Sequence, residues 1–142
     1  ERGHRLVADD IVEIRVENRV LMGRSNETLE HHMEIRGLGI VDVRAIFGVG
    51  AVRNRKRITL AVALEHWKKE REYERLGIED RFYEILGVQI PHLILPVRPG
   101  RNLPILVETA ALTQRLNHMG AHPAKEFNKR LLQTMSSQPA AD

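Results

Sequence analysis

The chain has 142 residues, 42% of them hydrophobic and 29% charged, enough for one domain with its own core, since chains of about 150 residues bury roughly 68–70% of their unfolded surface. Its 22 Lys+Arg against 19 Asp+Glu leave a net +3, which favours anionic ligands weakly and supplies no polybasic field for nucleic acid. The absence of cysteine excludes disulfides, thiol nucleophiles and cysteine zinc sites, so carboxylates, histidines, serines and threonines must supply any chemistry.

The longest apolar runs, such as Thr59 to Leu64, are too short to cross a bilayer. Glu1-Arg2-Gly3-His4-Arg5 lacks the apolar stretch of a secretory signal, so a cytoplasmic protein without membrane contact is expected. Arg5-Leu6-Val7-Ala8 reads as a short strand ending in Asp9-Asp10, and Ile11 to Val16 as a second, alternating one. Glu17-Asn18-Arg19 makes a short hairpin loop to Val20-Leu21-Met22-Gly23. Asn26 or Thr28 is placed to cap a brief helix over Leu29 to Met33. Gly48 to Gly50 marks a break, Arg53 to Arg57 an exposed basic turn, and Ile58 to Leu64 a strand.

Glu65 to Arg75 is charge-dense without an apolar stripe and reads as a lid-like loop anchored by Trp67 and Tyr73. Tyr83 to Gly87 and His92 to Leu95 are expected strands, the latter bounded by Pro91 and Pro96. Asn102 caps a helix to His118 or Met119, with Leu103, Leu106, Val107, Ala110, Ala111 and Leu112 at helical spacing and Gly120 as its stop. Pro123 starts a second helix that carries Phe127, Leu131 and Leu132 toward the core. Strands first and helices last predict a mixed α/β fold, with one domain over residues 1–135 and a flexible tail over 136–142.

Asp9 and Asp10 stand where sheet-based kinases hold magnesium and a catalytic base, although adjacent aspartates after a strand are more often turn residues. Met33-Glu34-Ile35-Arg36-Gly37-Leu38-Gly39-Ile40-Val41-Asp42 sets a carboxylate and a guanidinium beside two glycines, which suits backbone approach to phosphate; its spacing alone describes a structured turn. That string resembles the signature segment of the HPr kinase/phosphorylase family. Leu6 to Asp10 resembles the family's catalytic strand end, and Pro96-Val97-Arg98-Pro99-Gly100-Arg101-Asn102 its second signature, in the same order along the chain.

The resemblance, which runs from about Gly3 to the helix containing Phe127, implies the mixed β-sheet of the phosphoenolpyruvate carboxykinase-like P-loop kinase core, closed by two C-terminal helices. It implies that Asp10 accepts a proton when serine is phosphorylated and donates one in reverse, that Glu34 binds Mg²⁺ with Asp9 beside it, and that Arg75 is an active-site arginine. Met33 to Asp42 would serve both directions, and Pro96 to Arg101 (Pro96, Val97, Arg98, Pro99, Gly100, Arg101) mainly dephosphorylation. The expected donor is ATP or pyrophosphate, the partner the phosphocarrier HPr, and the assembly a homohexamer.

The resemblance also implies a GxxxxGK[ST] loop, which is absent from the chain, so the sequence is expected to begin inside the domain and to be inactive as a kinase by itself. Two other readings stay open: a phosphoenolpyruvate carboxykinase-like nucleotide enzyme, and a regulatory or scaffolding domain without the loop. His118 and His122 have zinc-helix spacing, but Gly120 and Pro123 interrupt the helix, so no histidine is assigned to metal.

Overall fold

The computed structural model of the chain describes residues 2–67, 81–120 and 123–137. They fall into two compact units, Glu1–Thr59 with Tyr83–Ile90, and Leu60–Phe82 with Pro91–Asp142. In the first unit, β1 (Glu13–Glu17) and β2 (Val20–Arg24) form an antiparallel hairpin registered from Glu13↔Arg24 to Glu17↔Val20. Asn18 and Arg19 at its tip have φ of 51° and 65°, the positive pair that a two-residue turn of right-handed twist requires.

A second hairpin follows, β3 (His32–Ile35) and β4 (Gly39–Asp42), which feeds a one-turn helix α1 (Val43–Phe47). The expected helix over Leu29 to Met33 is not formed. Asn26 Oδ1 does accept a hydrogen bond from Leu29 N at 2.8 Å, as a cap would, but the chain completes only a turn. His31 adopts φ 66° and the strand begins at His32. Local capping is satisfied equally well by a turn, and pairing with β4 decides the outcome.

The basic run expected as a turn is instead the edge strand β5 (Arg55–Arg57), antiparallel to β2 with Met22↔Arg57 and Arg24↔Arg55. Its charges sit on exposed residues at a sheet edge, where they discourage further strand addition. Arg55 Nη1 meets Glu17 at 3.1 Å and Arg24 Nε meets Glu13 at 3.2 Å. The expected strand at Arg5 to Ala8 is reduced to one parallel bridge, Leu6↔Val52, with Leu6 N donating to Ala51 O and Leu6 O accepting from Arg53 N.

Buried apolar side chains of this unit are Leu21, Val43, Val52 and Ile90. Leu21 alternates along β2 with Gly23, which is also buried. A Cβ at Gly23 would lie 3.0 Å from Val12 Cγ1 and 3.1 Å from Ile58 Cδ1, so glycine lets both aliphatic side chains close over the strand.

The sheet that begins after Thr59 has the order β6-β8-β7, with β6 (Ala61–His66), β7 (Phe82–Ile85) and β8 (Val88–Val97). β6 runs parallel to β8 from Ala61↔His92 to His66↔Val97. β8 passes through both prolines expected to bound it. Pro96 shares the side of the strand on which His92 N donates to Arg81 O, but lies beyond that pairing, and Pro91 precedes the first residue paired with β6. Among the described residues neither proline removes a ladder bond, which is the condition for proline inside a strand.

Two helices end the second unit, α2 (Leu103–His118) and α3 (Pro123–Ser137). Asn102 caps α2 through Oδ1, which accepts from Ile105 N at 3.3 Å, as expected. Leu103, Leu106, Val107 and Ala110 are half-buried at helical spacing, whereas Ala111 and Leu112 are exposed. Phe127, Leu131 and Leu132, expected to point toward the core, are also exposed, at 56%, 45% and 69%. Their spacing marks one stripe of α3, but the chain's own elements leave that stripe at the surface.

Leu21→Ala should lower unfolding stability by about 2–5 kcal/mol, the cost of a cavity in a packed site, whereas Leu112→Ala on the exposed side of α2 should cost less than about 0.5 kcal/mol. Urea unfolding followed by circular dichroism measures both.

Candidate active site

The acidic strand end and the signature segment meet through one contact. Asp9 Oδ2 accepts a hydrogen bond from the backbone N–H of Glu34 at 2.9 Å, across 25 residues of sequence. The bend at Asp9 and Asp10 follows the Leu6↔Val52 bridge, and the Asp9 carboxylate reaches the β3 strand. An ionised acceptor makes this bond stronger than a neutral one, and it ties Glu34 to the residue beside Asp10.

The segment Met33 to Asp42 is the β3–β4 hairpin itself, less the leading His32. Register pairs Met33 with Val41, Glu34 with Ile40, and Ile35 with Gly39. Its tip is the four-residue turn Ile35-Arg36-Gly37-Leu38, closed by Leu38 N donating to Ile35 O at 3.0 Å, with Gly37 at φ 88°. The third place of such a turn demands positive φ, so the glycine is required by the turn, and Arg36 is displayed at its second place. The base of the hairpin is half-buried and the tip exposed; Leu38 and Ile40 are 76% and 70% exposed.

Asp42 acts as a helix cap, since its Oδ1 accepts from Ala45 N at 2.9 Å at the start of α1. Val43 N donates to His31 O at 2.9 Å, and His31 Nε2 lies 3.3 Å from Asn54 Oδ1, so the foot of the hairpin is pinned from both sides. Nothing in the spacing of His31 and Asn54 announces their contact in the sequence.

In the second unit, Pro96 and Val97 end β8 and Arg98-Pro99-Gly100-Arg101 forms the next turn. Arg101 N donates to Arg98 O at 3.3 Å and Gly100 has φ 85°, with proline in the second place and glycine in the third, the residue pattern of a type II turn. Arg98 carries its guanidinium carbon 5.3 Å from the centre of the Trp67 ring. Trp67, expected to anchor a loop, thus meets an arginine that sequence does not reveal, because the contact arises from parallel strand register. Arg75 lies outside the described residues, as does Tyr73.

Asp9 and Glu34 are both exposed, and the bond between them joins the Asp9 side chain to the Glu34 main chain. Among the described residues no three His, Cys, Asp or Glu side chains gather as a metal cage. A pair of carboxylates suits a cation that retains waters and shares its coordination with phosphate, as opposed to a closed zinc or calcium site.

Comparison with known proteins shows the family. Residues 1–131 match the family described as HPr Serine kinase C-terminal domain. The HPr kinase/phosphorylase of Leptospira biflexa serovar Patoc is 54% identical over 134 residues, covering 92% of this chain and 42% of that protein. Those of Caldicellulosiruptor bescii and Treponema pallidum are 51% and 50% identical over 143 and 142 residues, covering 100% and 99% of this chain and 46% and 44% of theirs. The solved structure of the HPr(Ser) kinase/phosphatase from Coxiella burnetii superposes with a TM-score of 0.75 at 34% identity, over 89% of this chain and 77% of that one.

The fold is thus that of a kinase-related α/β domain. The chain belongs to the HPr serine kinase C-terminal domain family, and it spans less than half the length of the curated relatives it matches.

Asp9→Ala should speed hydrogen exchange at the Glu34 amide by about five- to tenfold, while Asp9→Asn, which keeps an accepting oxygen, should change it less. Exchange read by NMR or mass spectrometry at the β3 strand checks the contact directly.

Proposed function

We propose that the complete protein phosphorylates a serine of the phosphocarrier HPr, using ATP or pyrophosphate, and removes that phosphate by phosphorolysis. The observation that supports this most is the Asp9–Glu34 hydrogen bond, which ties the Asp9 side chain, next to Asp10 in the chain, to the main chain of Glu34 within one unit. The names of the relatives point the same way.

In the forward direction the serine Oγ attacks the terminal phosphorus of the donor, the Oγ–P bond forms as the P–O bond to the leaving phosphate breaks, and Asp10 takes the hydroxyl proton. In reverse an oxygen of inorganic phosphate attacks the phosphoserine phosphorus, the new P–O bond of pyrophosphate forms as the P–Oγ bond breaks, and Asp10 returns a proton to the leaving Oγ. Mg²⁺ held by Glu34, with Asp9 beside it, supplies charge neutralisation on the phosphoryl oxygens when bound. Arg36, Arg98 and Arg101 stand on or beside glycine turns, where a guanidinium can address phosphate oxygens in pairs. Arg75 completes the arginine set.

Positioning by these groups carries most of the rate, and Asp10 handles the proton. A cytoplasmic homohexamer acting on HPr is the setting that family membership supports. Of the described residues, no helix is long and apolar enough to cross a membrane.

Asp10→Ala in the complete enzyme should lower both serine phosphorylation and phosphorolysis by about 10²–10⁴, the usual contribution of a positioned proton-transfer group, with KM for HPr changed only a few-fold. Steady-state kinetics in both directions decides it; near-normal rates in both would remove Asp10 from this role.

A further inference from the structure

Trp67 follows the last residue of β6 and Arg98 follows the last residue of β8, and these strands are parallel and paired up to His66↔Val97. Trp67 N donates to Val97 O at 3.2 Å, which continues the ladder by one step and fixes the indole's backbone against the residue before Arg98. The two side chains therefore leave the sheet together at the carboxyl ends of parallel strands, the edge at which open α/β sheets place ligands. The guanidinium carbon stands 5.3 Å from the ring centre, inside the range in which a cation is attracted to the face of an aromatic ring. Trp67 is 40% exposed, so the contact sits at the surface of the unit, within reach of a solute.

A guanidinium stacked on a ring keeps its in-plane N–H groups available, because the ring occupies only its face. Behind Arg98 the chain is equally fixed: Pro96 is buried, Pro99 sets one backbone angle, and Gly100 closes the turn that returns Arg101 N to Arg98 O. The backbone thus fixes where Arg98 starts and the indole fixes where its guanidinium ends. An arginine left to itself carries large rotamer entropy that must be lost on meeting an oxyanion.

We propose that Trp67 is a positioning residue for phosphorolysis, holding the Arg98 guanidinium against its ring so that the guanidinium's edge receives a tetrahedral phosphate oxyanion, free inorganic phosphate or phosphoserine. The inference rests on the reading of Pro96 to Arg101 as the dephosphorylation segment. Trp67 touches no reacting atom in this role and acts only through Arg98.

The test is a double-mutant cycle in the complete enzyme, with KM for inorganic phosphate and kcat of phosphorolysis measured separately from serine phosphorylation. Trp67→Leu should raise KM for phosphate by about three- to tenfold with little change in kcat, and Trp67→Phe, which keeps a ring face, should recover most of the loss. In an Arg98→Ala background Trp67→Leu should have no further effect. ATP-dependent serine phosphorylation, which is not the reverse of phosphorolysis, should change by less than about twofold in Trp67→Leu, which also verifies that the variant folds.

If Arg98→Ala damages phosphorolysis but Trp67→Leu does not, or if the two losses add in the double variant, the role of Trp67 is overturned while the dephosphorylation segment stands. An equal loss of ATP-dependent serine phosphorylation also overturns it, since the residue would then support the domain as a whole. An Arg98→Ala enzyme with normal phosphorolysis would remove both the segment's assignment and the inference built on it.

Discussion

A carboxylate that accepts the backbone N–H of another acidic residue is an uncommon way to join two parts of a site. The Asp9–Glu34 bond does so here at 2.9 Å. The acceptor is the Asp9 side chain and the donor is Glu34's main chain, so the bond joins the two acidic residues without pairing their carboxylates. The Glu34 backbone is held by this bond, which does not use its carboxylate. Neighbouring contacts in the first unit support this one. The Leu6↔Val52 bridge sets where the bend at Asp9 begins, and Asp42, His31 and Asn54 hold the foot of the hairpin that presents Glu34.

The two signature segments, one in each unit, solve the same display problem in the same way. Each strand ends in a turn closed by an i+3 N–H to i C=O bond, with glycine at positive φ in the third place, Gly37 at 88° and Gly100 at 85°. Among the described residues, chain neighbours aside, no atom lies within 4 Å of where a Cβ would sit on either glycine. Their requirement is therefore one of backbone angle and leaves the space above the turn open for an approaching group. Arginine occupies a different place in each turn, the second in Ile35–Leu38 and the first and fourth in Arg98–Arg101. The same backbone device thus presents guanidinium groups at different angles from the strand they leave.

Much of this was legible in the residues. The β1–β2 hairpin, the helix beginning after Asn102 and the helix from Pro123 depend on local rules of pairing, capping and ring geometry, and these elements lie where those rules put them. The failures share a cause. Leu29 to Met33 satisfied a cap but lost its helix to strand pairing, Arg53 to Arg57 looked like a solvated turn until β2 offered an edge, and Pro91 and Pro96 read as strand ends because their unused ladder positions depend on neighbours distant in sequence. The site followed the same division. Asp9, Glu34 and the glycine turns could be named from the sequence, but the contact across 25 residues and the Trp67–Arg98 stack exist only once tertiary register is set.

Charge bears on the phosphate recognition proposed for this domain. With a net of only +3, the chain supplies no long-range field strong enough to steer anions, and at physiological salt such a field would be screened within about 8 Å. Two of the described arginines, Arg24 and Arg55, sit in partly exposed pairs with Glu13 and Glu17 that contribute at most about 1 kcal/mol each, and those pairs mainly fix strand neighbours. Recognition must then come from short-range geometry, in which a planar guanidinium meets two oxygens at once. That geometry helps only if the guanidinium is already oriented when the anion arrives, because otherwise the lost rotamer freedom offsets the bonds formed. A glycine turn fixes the start of the Arg98 side chain and a ring face fixes its end, which is how a few arginines beside glycine turns can serve where a larger number of scattered cations would not.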